Sequence, residues 1–342
     1  MLGLAALGRG GGSISGPEDV MVAAQLAAAL ELSGWPKPGN VHRTADLGPK
    51  TYERFLAGSI ALGPACLEAA RRGMMVGRGQ VELGEVGLGG LMEAATRSDG
   101  RWQACEPTHV GYVMLCVPLS ASSGLLLGEG AELDLGSLRE GVSRLLGATT
   151  TQDAIGLYRA LKLAASSKLG RLRPEVGLPD VLEDGAEGEL VDLGLTLLDV
   201  LRISSRWDLV AKELYSSLEL CARTGLPTLR SELEEHGSLN VAIVNTYLAL
   251  LSEARDTHVA RAWGLRRTSL IPDAVAEGLG MAEEVSRRAR EALELGGAAT
   301  PEGLRALNEM DRWLRGMGLN PGSCADLTAC TIMLALLTGL RP

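Results

Sequence analysis

The chain has 342 residues, enough to bury a large core in one domain or two. Apolar residues make up 46% of it, which excludes disorder on the scale of the whole chain. Aromatics make up only 3%, with a single Phe, too few for a β-rich core or a base-stacking surface. A formal charge of −9 excludes a general nucleic-acid binder, so phosphates are held only where local cations, backbone N–H groups or a metal reverse the field.

In chain order, Met1 to Gly16 is a brief apolar stretch running into Gly8-Arg9-Gly10-Gly11-Gly12. It lacks the basic start and full apolar region of a signal peptide and reads as a flexible lead, residues 1–19. Val20 to Leu32 follows with Val20, Ala23, Ala24, Ala27 and Leu30 at helix spacing, and ends where two prolines and two glycines fall between Ser33 and Asn40. A second helical pattern starts at Tyr52 and is interrupted near Gly63-Pro64. Residues 73–90 are dense in glycine and read as a loop or hairpin.

Val110 to Leu127 is apolar all round, the mark of a helix in the middle of a bundle, with a kink or break expected at Pro118 or Gly124. Leu135 to Leu146 is amphipathic. Thr150-Thr151-Gln152-Asp153 resembles a capping box, with the Thr150 hydroxyl accepting from the third amide and Asp153 reaching back, and starts a helix to about Ser166. Residues 168–190, rich in Gly, Pro and acids, form a candidate active-site loop or link between lobes. Helical patterns then occupy Trp207–Arg223, Leu239–Ala262, Pro272–Leu295, Pro301–Met317 and Cys324–Leu340.

No run shows sustained strand alternation and no repeat is present. The fold expected is therefore all-α, a bundle of roughly ten helices in a single domain over 20–342. Ala325 to Leu340 is too short to cross a bilayer and carries Asp326, so no membrane association and a cytoplasmic location are expected. The six cysteines (Cys66, Cys105, Cys116, Cys221, Cys324, Cys330) show no C-x-x-C spacing, which argues against structural zinc. Most read as small buried residues, and whether any pair is left open, as is a homodimer.

Four segments carry candidate chemistry. Lys37-Pro38-Gly39-Asn40-Val41-His42-Arg43 places two cations, an amide and an imidazole in a rigid turn able to aim Lys and Arg at adjacent phosphates, although turn chemistry alone accounts for its Pro and Gly. Asp256-Thr257-His258 with Arg261 offers a carboxylate and a guanidinium for a metal–phosphate pair, or an ordinary surface charge pair. Asp326 sits in the first turn of the last apolar helix, where the bland role is a dipole interaction. Thr108 reads as a cap and His109 as a structural histidine at the start of the buried helix. P-loop, dinucleotide, zincin and hydrolase motifs are missing.

In this order the segments resemble the triphosphoribosyl-dephospho-CoA synthase family, over about residues 20–340. Lys37-Pro38-Gly39-x-Val41-x-Arg43 is similar to its Lys-Pro-Gly-x-Val-x-Arg signature, and Thr108-His109-x-Gly111 to its Asn-Thr-x-x-Gly segment with Pro107 in place of Asn. Asp256-Thr257-His258-x-x-Arg261 is similar to its Asp-Thr-Asn region, and Pro321-Gly322 with Ala325-Asp326-Leu327 to its Pro-Gly-x-x-Ala-Asp-Leu block. His42 stands where bacterial members typically carry Asp, and Ser323-Cys324 where they carry Gly-Ser, differences that look like those of archaeal relatives.

The resemblance implies an all-α enzyme that moves the triphosphoribosyl group of ATP to dephospho-CoA, or a similar nucleotide acceptor, and releases adenine. It further implies that Lys37, Gly39, Asn40, Arg43, Thr108, His109, Thr257 and Arg261 bind nucleotide. Asp256 and Asp326 would hold Mg²⁺ or act at the anomeric carbon, and His42 would be an acid or base. The alternatives are a phosphotransferase or nucleotide hydrolase on the same pocket, a non-catalytic nucleotide- or CoA-binding protein, and a pure scaffold.

Overall fold

The computed structural model describes residues 14–103, 106–165 and 169–342. Its α-helices are α1 (Pro17–Ser33), α2 (Tyr52–Ala61), α3 (Gly63–Gly77), α4 (Leu88–Gln103), α5 (Val110–Glu129), α6 (Leu135–Gly147), α7 (Thr151–Ala165) and α8 (Ala186–Asp192). They continue as α9 (Leu197–Ser204), α10 (Leu209–Tyr215), α11 (Leu226–His236), α12 (Leu239–Glu253), α13 (Thr257–Gly264), α14 (Ile271–Glu294), α15 (Pro301–Gly316) and α16 (Gly322–Leu337). Among the described residues β-pairing is limited to three isolated bridges, so the all-α expectation holds. The number of helices exceeds the ten expected because α8, α9, α10 and α13 are only seven or eight residues long, too short for periodicity to reveal.

The centre is α5, buried on every side by α1, α3, α4, α6 and α16. It is long and apolar enough to cross a membrane, but 83% of it is buried inside the protein, so packing accounts for its composition. Pro118 lies within it without dividing it into two helices, because packing on all sides outweighs the lost backbone bond.

Glycine sets how closely the main pairs approach. On α3, a Cβ at Gly73 would lie 2.0 Å from the Ala121 carbonyl oxygen, and one at Gly77 2.2 Å from that of Leu125. On α5, Gly124 and Gly128 face the carbonyls of Ala70 and Met74 at 1.8 and 2.4 Å. Two Gly-x-x-x-Gly rows thus interlock, and the same device joins α13 to α14 through Gly264 and Gly278. The glycine-dense stretch read as a loop from residue 73 is therefore helix to Gly77, and its loop is confined to the turn before α4, a helix that the sequence reading missed.

Capping follows local chemistry. Asp153 reaches back to the Thr150 amide at 2.9 Å as expected, but the Thr150 hydroxyl donates to the same carboxylate instead of accepting from the third amide. The pattern read as one helix from Leu239 to Ala262 is two, parted at Ala254–Asp256. The first helix begins at Pro17, inside the expected lead, of which residues 1–13 lie outside the described residues. The cysteines at 66, 116, 221, 324 and 330 are buried free thiols, and Cys105 lies outside the described residues.

Replacing Gly124 by Ala drives a methyl into the α3 backbone, and we expect it to cost about 3 kcal/mol of stability, read as a fall in the denaturant midpoint with an unchanged slope. A loss below about 0.5 kcal/mol would show that the seam has slack.

Candidate active site

The turn after α1 is irregular, and its neighbours hold it. Gly39 adopts φ +75°, donates its N–H to Asp311 on α15 at 2.8 Å, and has Leu314 and Pro321 where a side chain would go. Arg315, paired with Asp311 at 2.8 Å, donates to the Asn40 and Asp46 carbonyls. Tyr247 of α12 donates to the Pro38 carbonyl at 2.9 Å and accepts from the Asn40 amide at 2.8 Å.

This clamp turns Lys37 inward. The residue is 1% exposed, and its ammonium bonds to the Glu31 carbonyl at 2.9 Å and pairs with the Glu31 carboxylate. Burial lowers the lysine pKa, and the charges of Glu31 and Asp326 act against that shift.

Asp256 caps α13 and is completely buried. One carboxylate oxygen accepts from the amides of His258 and Val259 at 2.9 and 3.0 Å, and the other accepts from the Cys324 amide at 2.8 Å. One side chain therefore fastens the starts of α13 and α16 together. His258 Nδ1 lies 2.8 Å from the Asn320 carbonyl. A carbonyl only accepts, so in the neutral ring the proton sits on Nδ1 and Nε2 is basic.

The start of α5 is built likewise. Buried Asp99 accepts from the Thr108 and His109 amides at 2.9 and 3.0 Å and faces His109 Nδ1 at 3.4 Å. Burial alone would raise its pKa, but His109 and these amides hold it below the usual range. Gly58 leaves the room, since a Cβ there would come within 2.1 Å of Asp99.

A cavity of about 200 Å³ opens between these helix starts, and Lys37, Asn40, Thr108, His109, Arg261 and Asp326 line it together. Asp326 is a part-exposed residue of the cavity wall, accommodated because Gly111 opposite has no side chain. Burial pushes its pKa well up, and the charges of Glu31, Asp256 and Asp208 push further in the same direction. Arg261 lies 3.9 Å from Asp208.

The remaining expected residues lie off the cavity. Arg43 turns outward, donating to Asn240 at 2.9 Å with its guanidinium 5.8 Å from the centre of the Trp35 ring, so it does not share a ligand with Lys37. Asp256, completely buried, holds three amides and is not among the residues that line the cavity. The Thr257 hydroxyl accepts from the Leu209 amide at 2.9 Å and docks α10, and Gly39 shapes the turn. Buried His42 accepts from Thr44 and sits among Lys37, Arg315 and Arg43, away from the cavity lining.

Glu31, Lys50, Asp208, His258 and Asn320 line the cavity without having been named as site residues. One signal was available: Glu31 is an acid in the last turn of α1, the wrong sign for the helix dipole, and so implied a cationic partner. Among the described residues no group of three or more His, Cys, Asp or Glu is arranged as a metal site.

The family model for ATP:dephospho-CoA triphosphoribosyl transferase matches residues 17–342. The chain is 36% identical over 111 residues to a Pseudomonas fluorescens protein named "Probable 2-(5''-triphosphoribosyl)-3'-dephosphocoenzyme-A synthase", over 32% of this chain and 33% of that one. A Pseudomonas syringae protein of the same name is 33% identical over 121 residues, 35% of each chain. The matched segment thus spans about a third of the length of these relatives. A crystal structure from Archaeoglobus fulgidus, described as a "putative triphosphoribosyl-dephospho-coA synthase", superposes with a TM-score of 0.56 at 23% identity. It covers 84% of this chain and all of that one, a likeness of fold.

Burial, with Lys37 and Arg315, lowers the His42 pKa from 6.5 to about 4, so its contribution to stability is present above pH 6.5 and lost as the pH falls through 4. We expect unfolding free energy to fall by about 3 kcal/mol over that window through this group, and His42→Gln to flatten the acid limb. An unchanged limb in the variant would assign the acid sensitivity elsewhere.

Proposed function

Since the chain belongs to the ATP:dephospho-CoA triphosphoribosyl transferase family, we propose that its cavity joins the triphosphoribosyl group of ATP to a ribose hydroxyl of dephospho-CoA and releases adenine. The observation that carries this is convergence. Lys37, His109, Arg261 and Asp326, from four distant parts of the chain, line one cavity at which the starts of α5, α13 and α16 meet. In an acidic protein these helix starts and cations supply the local positive field that a polyphosphate needs.

The acceptor hydroxyl forms the new bond to the anomeric carbon as the bond to adenine breaks, and adenine leaves with the bonding pair and takes up a proton from solvent, matching the one the hydroxyl gives up. His258, its Nδ1 proton committed to the Asn320 carbonyl, takes the hydroxyl proton on Nε2. Asp326 and Glu31 offset the positive charge that builds on the ribose ring, as carboxylates do in glycoside cleavage. Arg261 and the third ammonium proton of Lys37 hold the phosphates.

The mutual repulsion of Asp326, Asp208 and Glu31 is what a divalent cation relieves. Mg²⁺ would be held by Asp326 and Asp208 with the triphosphate, and would supply charge neutralisation there.

Purified protein given ATP, Mg²⁺ and dephospho-CoA releases adenine, and ADP or AMP in its place would overturn the reading. Asp326→Asn lowers kcat by about 100-fold or more, whereas Arg43→Ala, outside the cavity, stays within about threefold. The reverse ranking would return the triphosphate to the outer face of the turn.

A further inference from the structure

A second, smaller chamber of about 90 Å³ lies beside the catalytic cavity. The two share Met114, Leu161, Leu169, Asp208 and Arg261, so they meet at the Asp208–Arg261 pair. Beyond that pair the wall turns apolar, with Leu157 of α7, Val200 of α9 and Ala211 of α10. The roof comes from the Gly- and Pro-rich segment before α8, through Leu172, Leu178 and Val181. This roof is pinned: the Arg171 amide donates to the Ser269 carbonyl at 2.7 Å, its carbonyl accepts from Ile271 at 2.9 Å, and Asp180 accepts from the Leu172 amide at 3.0 Å.

Protein interiors close apolar voids because an empty one forfeits packing, so a chamber kept open by a pinned roof beside a reaction site calls for an occupant. Two hydroxyls in its wall are committed, while the Trp207 indole adds a further flat apolar surface. Ser204 donates to the Val200 carbonyl at 2.7 Å and Tyr158 to the Pro179 carbonyl at 2.9 Å. An alkyl group asks nothing of the few donors in such a wall, whereas a purine has edge nitrogens to satisfy.

Resting on the transferase reading above, we propose that this chamber is the acceptor subsite, and that it takes the branched alkyl segment of the pantetheine arm. Of the two substrates only the acceptor has such a group. In dephospho-CoA a diphosphate is followed by a methylene and a carbon bearing two methyls. The protein presents the matching order, with the Arg261 guanidinium at the junction and an aliphatic chamber directly beyond it. The segment at 169–183 thereby selects the acceptor.

Calorimetry on the full chain with dephospho-CoA, 4′-phosphopantetheine and ATP tests this without turnover. Ala211→Leu, which fills the chamber, weakens binding of both arm-bearing ligands by about tenfold and leaves ATP affinity within twofold, the effect of displacing about two methyl groups. Leu178→Ala, which strips part of the roof, shows the same contrast and serves if the filled variant does not fold. Unchanged affinity for the arm-bearing ligands, or a parallel loss for ATP, overturns the assignment. Absence of adenine release by the unaltered protein would sink the transferase reading, while the binding contrast is read independently of it.

Discussion

The buried carboxylate of Asp256 accepts three backbone N–H groups from the first turns of two helices. Taking a carboxylate out of water costs several kcal/mol, and hydrogen bonds from amides to a charged acceptor return about 1.5–3 kcal/mol each, so the three offset much of a burial that still raises the Asp256 pKa. The cavity depends on this arrangement. It sets the first turn of α13, and so His258 and Arg261, against the first turn of α16, and so Asp326. Asp99 does the same at the start of α5, where it fixes Thr108 and His109. Two acids that never reach the ligand space decide what faces it.

Charge in the cavity is arranged in opposition. Lys37 is held by Glu31 and Arg261 lies near Asp208, while Asp326 sits among like charges that, with burial, drive its pKa upward. Carboxylates brought this close oppose one another, which is why we assign them a cation, and assign Lys37 and Arg261 an anion, as a metal-bound polyphosphate would provide. Net acidity of the whole chain is compatible with such a site because the field is local.

With few aromatics, the bundle gains its core from close backbone approach instead of large side chains. The glycine rows between α3 and α5, and a single glycine from each of α13 and α14, bring helix against helix at distances no Cβ would allow. Alanine and leucine then fill the space around them. This rigid packing lets short helices such as α10 and α13 hold their ends in place, since the buried face of a seven- or eight-residue helix, not its intrinsic propensity, keeps it folded.

Helix class and the long buried segment at Val110 were legible because apolar periodicity and composition act locally. Lys37, Asn40, Thr108, His109, Arg261 and Asp326 could each be picked from chemistry and family likeness, and they do share one wall. What sequence could not decide was direction. A turn carrying Lys37, His42 and Arg43 points its cations to opposite sides because Tyr247, Asp311 and Arg315, more than 200 positions away, clamp its backbone. Asp256 reads as an exposed helical carboxylate until α16 arrives to bury it, and glycines near residue 73 read as loop until α5 packs on them. Side-chain orientation and burial are properties of contacts between distant segments, and only the folded chain brings those segments together.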